Sequence, residues 1–298
     1  MQWRLGRRVE DMPQLNDIVS LVTGASRGAG RGIALELGSA GATVYIDGRS
    51  VDGRPTTDDV PGTIDQTAAE VTARGGRGIA VRCDHSVDAD VESLFGHIRQ
   101  DHRRLDLLVN NVWGGYEDPA CRPLPLVPFW EQPLAQWDRM FSSGVRAHLI
   151  ASRLAAPLML PQRRGLIVST TANLDVLPYL RNVVYDLAKH AVTRLTWAMS
   201  QELREHGIAA VAVAPGFMRT ERVVEAFRRA GAEEALSGPG GPKETPVYLG
   251  RAIVALASDA RILEKTGQLL EVGWLAREYG FTDIDGTRPL PFRNAATT

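Results

Sequence analysis

Hydrophobic positions along the chain alternate between short apolar runs and longer stretches with helical spacing. The short runs, rich in Val, Ile, Leu and Ala, predict strands over 18–22, 43–46, 78–82, 105–109, 166–169, 209–214 and 268–272. The longer stretches predict helices over 30–40, 63–74, 88–102, 134–160, 184–207 and 246–258. Strands that alternate with helices are typical of βαβ units in a parallel sheet.

These elements predict an α/β fold, a Rossmann-type doubly wound seven-stranded parallel sheet with helices on both faces. Residues 13–289 are assigned to this single domain, between a polar extension at 1–12 and a tail at 290–298. A start at Met12 is an alternative. Such sheets bind ligands at the carboxyl ends of their strands. Three segments look irregular, 47–62, 113–133 and 231–246, and the last is predicted to be a flexible lid.

Composition narrows the class of partner. The 298 residues are 44% hydrophobic and carry a formal net charge of −1, which gives no reason to expect nucleic acid as a partner. No apolar run approaches the ~20 residues that cross a bilayer, so no membrane contact is expected. Two distant cysteines, Cys83 and Cys121, and six histidines without ligand spacing predict neither a disulfide framework nor a metal site. We expect a cytoplasmic protein with a small-molecule partner.

A glycine-rich turn follows the first predicted strand. It reads Thr23-Gly24-Ala25-Ser26-Arg27-Gly28-Ala29-Gly30 and leads directly into a helix. Glycines allow the backbone to approach a pyrophosphate, and the helix N-terminus offers free N–H groups to it. The turn predicts a dinucleotide site at Gly24, Ser26, Arg27, Gly28 and Gly30; a tight turn without a ligand is the alternative. The spacing Gly-x-x-x-Gly-x-Gly after Thr resembles the cofactor motif of short-chain dehydrogenases/reductases.

The residues after the second strand bear on the choice of cofactor. An acid there accepts a hydrogen bond from a ribose 2′-OH, whereas an arginine pairs with a 2′-phosphate. The chain reads Tyr45-Ile46-Asp47-Gly48-Arg49, and the family resemblance places the NAD-selecting acid at Gly48. Arg49 and Arg27 therefore favour NADP(H). NAD(H) is the less favoured alternative, because Asp47 can still reach the ribose.

The resemblance implies further cofactor contacts after the later strands. Asp84 resembles the family residue that contacts adenine. Asn110 begins Asn-Asn-Val-Trp113, where the family has Asn-Asn-Ala-Gly. Pro215, Gly216 and Thr220 resemble the family turn that holds the nicotinamide, with Thr220 on the carboxamide.

Tyr185 and Lys189 lie four residues apart in a predicted helix, so both side chains share one face. An isolated Tyr-x-x-x-Lys is usually a surface pair, but this one follows the fifth strand, as in the family. The resemblance implies that Tyr185 protonates a carbonyl oxygen during reduction. It implies that Lys189 lowers the pKa of that tyrosine and binds the nicotinamide ribose.

Two positions depart from the family pattern. In the family, a serine thirteen residues before the tyrosine orients the substrate, and in this chain that position is Ala172. We predict that the hydroxyl of Thr171 takes this role. Ser169 is a weaker candidate. In the family, an asparagine anchors a water in the proton relay. In this chain that position is Gly144, which has no side chain to hold the water.

These features predict an NADPH-dependent carbonyl reductase or alcohol dehydrogenase. Aromatic side chains at Trp113, Tyr116, Phe129 and Trp130 favour a bulky ketone, aldehyde or quinone if they face the site. The alternative is an NADP-binding sensor or partner-binding module with little catalysis. The resemblance also implies a homodimer or homotetramer packed through helices 134–160 and 184–207.

Overall fold

A seven-stranded parallel sheet forms the centre of the protein. The computed structural model describes residues 13–115, 127–176, 179–238, 241 and 243–291, and the predicted extension at 1–12 lies outside them. The strands are β1 Val19–Val22, β2 Thr43–Gly48, β3 Arg77–Arg82, β4 Leu107–Asn110, β5 Gly165–Thr170, β6 Ile208–Ala214 and β7 Leu269–Glu271. Their order is β3-β2-β1-β4-β5-β6-β7, and every neighbouring pair is parallel. The predicted fold class is confirmed.

Nine α-helices accompany the strands in the described residues. They are α1 Gly28–Ser39, α2 Ile64–Ala73, α3 Asp88–His102, α4 Ala135–Met140, α5 Ala147–Met159, α6 Val183–Leu203, α7 Glu221–Arg229, α8 Pro246–Ala257 and α9 Val272–Tyr279. The sequence did not predict α7 or α9, because each spans little more than two turns and hydrophobic periodicity is a weak signal over such a length. The predicted helix 134–160 is interrupted by a π-helical turn at Phe141–Arg146.

Alternate residues of the central strands pack against helices on opposite faces of the sheet. Val22 and Val109 belong to the core formed with α1, α2, α8 and α9. Leu21 and Leu108 belong to the core formed with α3 and α5. Because both faces are covered, the central strands are apolar throughout rather than alternating. No described helix combines the length and hydropathy needed to cross a membrane.

The predicted lid at 231–246 is only partly described. It contains a 3-10 turn at Glu233–Leu236 and a β-bridge between Met218 and Glu244. That bridge joins the lid segment to the turn after β6. Of the two cysteines, Cys83 is a buried free thiol, and Cys121 lies outside the described residues.

Two glycines allow α1 and α8 to approach closely behind the glycine-rich turn. A Cβ added to Gly32 would lie 2.5 Å from atoms of Pro246, and one added to Gly250 would lie 2.6 Å from the backbone oxygen of Gly32. Beside them, Arg251 Nε lies 3.3 Å from the buried carboxylate of Glu36. The close packing of α8 on α1 therefore fixes the axis of α1, whose N-terminus follows the glycine-rich turn.

Gly250→Ala is expected to destabilise the fold, because backbone must move to admit the methyl group. The expected loss is about 1–3 kcal/mol in the free energy of unfolding, measured by denaturant titration. Gly96→Ala is the matched control: a Cβ there meets nothing within 4 Å, and Gly96 lies inside α3. This control should gain about 0.5–1 kcal/mol. Equal effects at the two positions would contradict the packing argument.

Candidate active site

The glycine-rich turn lies between the end of β1 and the start of α1. Gly24 and Gly28 adopt positive φ angles of 66° and 57°, which other residues rarely adopt. A Cβ on Gly30 would lie 2.4 Å from the backbone oxygen of Gly24. Ser26 belongs to the same turn, and its backbone oxygen would lie 2.5 Å from a Cβ on Gly62. All four residues therefore form a tight backbone cradle at the N-terminus of α1.

The end of β4 supports this cradle through a residue that the sequence analysis did not single out. The amide of Asn111 donates hydrogen bonds to the backbone oxygens of Thr23, at 2.9 Å, and Gly24, at 3.2 Å. The predicted residue, Asn110, is instead fully buried, and its amide donates to the Ser152 hydroxyl on α5 at 2.9 Å. The side chain of Asn110 therefore joins β4 to α5 within the core.

Asp47 is fully buried beneath the glycine-rich turn. Its Oδ1 accepts a hydrogen bond from the Gly24 N–H at 2.9 Å, and its Oδ2 lies 3.0 Å from Nε2 of His85. Both oxygens are thus engaged in contacts inside the protein. The carboxylate that the sequence placed within reach of a ribose holds the turn in position instead.

Asp47, Cys83 and His85 form a buried group whose potential ligand atoms all lie within 4.8 Å of one another. Burial opposes charge on His85, but the Asp47 carboxylate outweighs it and raises the histidine pKa overall. The hydrogen bond between Asp47 and His85 explains their proximity without a metal ion. The sequence did not foresee this group, because its members come from different strand ends; the absence of a metal site stays a prediction.

The two arginines predicted to meet a 2′-phosphate differ in their surroundings. Arg27 donates to the backbone oxygens of Thr57, at 2.9 Å, and Gly62, at 3.0 Å, and to the Ser50 hydroxyl at 2.7 Å. It therefore fixes the loop that follows β2. The Arg49 side chain is 36% exposed, and its Nη1 lies 3.9 Å from Asp84 Oδ2.

Asp84 lies at the end of β3, beside Arg49. Its Oδ1 accepts hydrogen bonds from the Ser86 N–H at 2.9 Å and the Ser86 hydroxyl at 2.7 Å. Partial burial would raise the pKa of Asp84, but these bonds and the charge of Arg49 lower it overall. Arg49 and Asp84 thus form a charged, partly exposed pair at the strand ends.

The Tyr185 and Lys189 pair occupies the first two turns of α6. Asn182 caps this helix: its Oδ1 accepts a hydrogen bond from the Tyr185 N–H at 2.8 Å, and its amide donates to Gln136 at 3.2 Å. Asn is a favoured cap residue, so its place three residues before the tyrosine was a readable signal. Lys189 Nζ lies 5.8 Å from the centroid of the Tyr185 ring.

Both members of the pair have pKa values displaced by burial. Burial raises the pKa of Tyr185 to about 12 and lowers the pKa of Lys189 to about 7. Burial of Tyr185 thus opposes the lowering of its pKa that the family resemblance implies. Tyr185 is therefore protonated at neutral pH, which is the form that can donate a proton.

Thr171, the predicted substitute for the family serine, lies against α6. Thr171 Oγ1 donates to the backbone oxygen of Lys189 at 2.9 Å and lies 3.4 Å from the Thr193 hydroxyl. The Ser169 hydroxyl is buried without a partner among the described residues. Ala172, at the family position, offers no hydroxyl. Thr171 thus holds the backbone of Lys189, and its contact with a substrate stays a prediction.

The turn after β6 contains Pro215, Gly216 and Thr220. The Gly216 N–H donates at 2.8 Å to Glu244, which is only 2% exposed and whose pKa burial raises to about 7. Thr220 caps α7, since its hydroxyl accepts a hydrogen bond from the Val223 N–H at 3.3 Å. Glu244 was not predicted from the sequence, because its contact with Gly216 spans 28 residues.

An acidic side chain from α7 lies on the glycine-rich turn. Glu221 Oε2 accepts a hydrogen bond from the Gly28 N–H at 2.8 Å, across 193 residues of sequence. A groove between α1, α7 and α8 opens beside this contact and is lined by Arg31, Val224 and Pro246. A carboxylate bound to the N–H at the start of α1 shows that this position accepts an anionic oxygen.

Known proteins match the chain over most of its length. The model of the short chain dehydrogenase family matches residues 18–230. Dehydrogenase/reductase SDR family member 1 of Mus musculus is 40% identical over 278 residues, which cover 91% of this chain and 84% of the relative. The protein of the same name from Homo sapiens is 39% identical over 285 residues, covering 93% and 86%. The chain therefore belongs to the short-chain dehydrogenase family.

Solved structures agree with this assignment. A short-chain type dehydrogenase/reductase from Mycobacterium marinum superposes with a TM-score of 0.71 at 26% identity, over 89% of this chain and 97% of that one. The chain is accordingly an oxidoreductase that binds a nicotinamide cofactor. The run Phe129-Trp-Glu-Gln-Pro133, Gly144 and the tail Leu275-Ala-Arg-Glu-Tyr279-Gly with Asp283-Ile-Asp285-Gly286 resemble the branch of dehydrogenase/reductase SDR family member 1, and the comparison confirms that likeness.

Glu221→Gln is expected to tighten binding of the nicotinamide cofactor. The carboxylate holds the N–H of Gly28 and places a negative charge where a pyrophosphate would approach, so removing the charge removes a competitor. We expect the Kd for NADPH and for NADH to fall about fivefold, in line with about 1 kcal/mol for such a bond. Calorimetric titration measures both constants. Glu202→Gln, an exposed carboxylate on α6, is the control, and an unchanged Kd in Glu221→Gln would refute the competition.

Proposed function

We propose that this protein is an NADPH-dependent carbonyl reductase, which transfers hydride between the nicotinamide and a ketone, aldehyde or quinone. One observation carries the proposal. Tyr185 and Lys189 share a face of α6, at the same edge of the sheet as the glycine-rich turn and Arg49. The names of the mammalian relatives, which include both dehydrogenase and reductase, support the reaction class.

The residues of the cradle fit a dinucleotide. Side chains at Gly24 and Gly30 would clash with the protein's own backbone, so these glycines keep the turn tight at the N-terminus of α1. The Gly28 N–H already holds a carboxylate oxygen, which stands in for a phosphate oxygen. In the proposal, the backbone at Ser26 and the Pro215, Gly216 and Thr220 turn complete the cofactor contacts.

The choice of NADP(H) over NAD(H) is supported by the surroundings of three side chains. Asp47 is bonded to Gly24 and His85, so no acid remains at the end of β2 for a ribose hydroxyl. Arg49 is partly exposed beside Asp84, which we propose to lie at the adenine. Arg27 is engaged with the loop after β2, so Arg49 is the principal partner of the 2′-phosphate in this proposal.

The protonated Tyr185 hydroxyl is the acid of the proposed reaction. When bound, the nicotinamide supplies the hydride to the carbonyl carbon. Tyr185 donates its proton to the carbonyl oxygen as that oxygen gains negative charge. Lys189, one turn further along α6, places a positive charge beside the phenolate that remains and binds the ribose. Thr171 holds the Lys189 backbone and, as predicted from the sequence, orients the substrate.

A second candidate is an NADP-binding sensor with little catalysis. Two observations favour it: Ala172 stands where the family has its serine, and the nearby Thr171 hydroxyl is directed to α6. Retention of both Tyr185 and Lys189 favours the enzyme.

The cytoplasmic location and the homodimer or homotetramer stay predictions. The exposed side chains of Leu149 on α5 and of Leu187 and Trp197 on α6 support the predicted packing of those helices between subunits.

Tyr185→Phe is expected to abolish turnover while leaving cofactor affinity nearly unchanged. The substitution removes the proton donor and keeps the ring, and general acid catalysis contributes about 10²–10⁴-fold in rate. NADPH oxidation is followed by absorbance with a panel of aldehydes, ketones and quinones. The control is Tyr179→Phe, an exposed tyrosine in the preceding segment. Tight NADPH binding by the wild-type protein without any turnover would favour the sensor, and turnover that survives in Tyr185→Phe would overturn the mechanism.

Arg49→Ala is expected to weaken NADPH binding selectively. A charge-assisted contact with the 2′-phosphate contributes about 1.5–3 kcal/mol, so the Kd for NADPH should rise about 10- to 100-fold. The Kd for NADH, which lacks that phosphate, should change little. Arg54→Ala, in the exposed part of the same loop, is the matched control. An equal rise in the Kd for NADPH and for NADH would show that Arg49 does not bind the 2′-phosphate.

A further inference from the structure

Two departures from the family pattern meet in the structure. Trp113 stands where the family has the glycine of Asn-Asn-Ala-Gly, and Gly144 stands where the family has the relay asparagine. A Cβ added to Gly144 would lie 2.6 Å from Cζ3 of Trp113. No side chain at position 144 can therefore coexist with this ring. The two substitutions form one reciprocal exchange, in which the ring of Trp113 takes the volume that an asparagine side chain would need.

The helix around Gly144 is adapted to this exchange. Gly144 is buried within the π-helical turn at Phe141–Arg146, between α4 and α5. A π-helical turn inserts one residue into a helix and often occurs at functional sites. The glycine thus leaves room for the indole ring at a distorted point in the helix.

The Trp113 ring also contacts the catalytic pair. Lys189 Nζ lies 3.7 Å from the ring centroid, and the Tyr185 ring meets the indole edge-to-face at 5.7 Å and 80°. The indole Nε1 is buried without a partner among the described residues. The ring is therefore placed by its aromatic contacts and not by its hydrogen-bond donor.

No carboxylate of the described residues forms an ion pair with Lys189. The titratable groups near it are Tyr185 and His148, which lies one turn after Gly144 on α5. His148 is buried, and burial and the charge of Lys189 lower its pKa to about 3, so it is neutral. Its Nε2 donates to the backbone oxygen of Val112 at 3.2 Å. The indole face is thus the group that meets the ammonium, and cation–π attraction is strongest where the cation is desolvated.

We propose that Trp113 is a positioning residue which replaces the relay asparagine, holding the Lys189 ammonium directly by its ring. The inference rests on the proposed function, because it assigns Trp113 a part in the chemistry of Tyr185 and Lys189. Trp113 orients the lysine through a direct aromatic contact, where the family pattern uses a water held by asparagine. The same ring packs on Tyr185 and fixes its hydroxyl relative to the lysine.

The contact is tested by NMR on protein labelled with ¹³C-lysine. The chain has three lysines, Lys189, Lys243 and Lys265, so the ε-CH₂ signals are few and Lys189→Arg assigns them. The Lys189 ε-protons should be shifted upfield of those of Lys243 by the indole ring current. Trp113→Leu should abolish this shift, and Trp113→Phe should retain part of it. An unshifted Lys189 in the wild-type protein would overturn the inference.

The same spectra follow the titration of Lys189. Burial lowers its pKa to about 7, and loss of the ring should lower the midpoint further, by about one unit, because the ring favours the charged form. Trp274→Leu is the matched control, since it removes a tryptophan ring on α9 that meets the guanidinium of Arg277 at 4.9 Å. It should leave Lys189 unchanged. A midpoint that stays or rises in Trp113→Leu would refute the proposal.

Kinetics test the reciprocal exchange. Trp113→Gly should lower kcat/KM about tenfold, the scale of one desolvated cation–π contact. Adding Gly144→Asn should restore part of the loss, and a double variant no better than the single one would refute the exchange. The NMR signals need no turnover. A wild-type protein without Tyr185-dependent turnover would therefore overturn the proposed function, whereas an unshifted Lys189 would overturn this inference alone.

Discussion

All seven strands run in one direction, and this constraint places the candidate site. In a parallel sheet the carboxyl ends of the strands share one edge, so residues far apart in sequence are brought together there. The glycine-rich turn follows β1, Arg49 follows β2, Asp84 follows β3 and Pro215 follows β6. The contact between Glu221 and Gly28, separated by 193 residues, is possible only because the turns after β1 and β6 lie at this edge.

Several polar side chains at that edge form hydrogen bonds within the protein. Asp47 holds the glycine-rich turn, Arg27 fixes the loop after β2, and Thr171 holds the backbone of Lys189. A buried polar group without a partner is costly, so internal hydrogen bonds take precedence for residues at the boundary between core and groove. The candidate groups for ligands are the Gly28 N–H, which holds the Glu221 carboxylate, and the partly exposed Arg49, which pairs with Asp84.

The pKa values of Tyr185 and Lys189 depend on a balance between burial and nearby charge. Burial alone would favour a neutral lysine and a protonated tyrosine, and their pKa values of about 7 and about 12 follow that direction. The ring of Trp113 opposes burial at Lys189, because its face attracts the ammonium without introducing a carboxylate. The missing asparagine at position 144 is therefore understood as part of an aromatic arrangement around Lys189.

The sequence by itself determined the parallel α/β fold, the position of the glycine-rich turn and the face shared by Tyr185 and Lys189. These features depend on local periodicity and on glycines that no other residue can replace. Only the tertiary structure decided which polar side chains face inward. It showed that Asp47 is bonded to His85 and that Gly144 contacts Trp113, because such contacts depend on how distant segments pack. The helices α7 and α9 also required the structure, since two turns of helix carry little periodic signal and are stabilised by their neighbours.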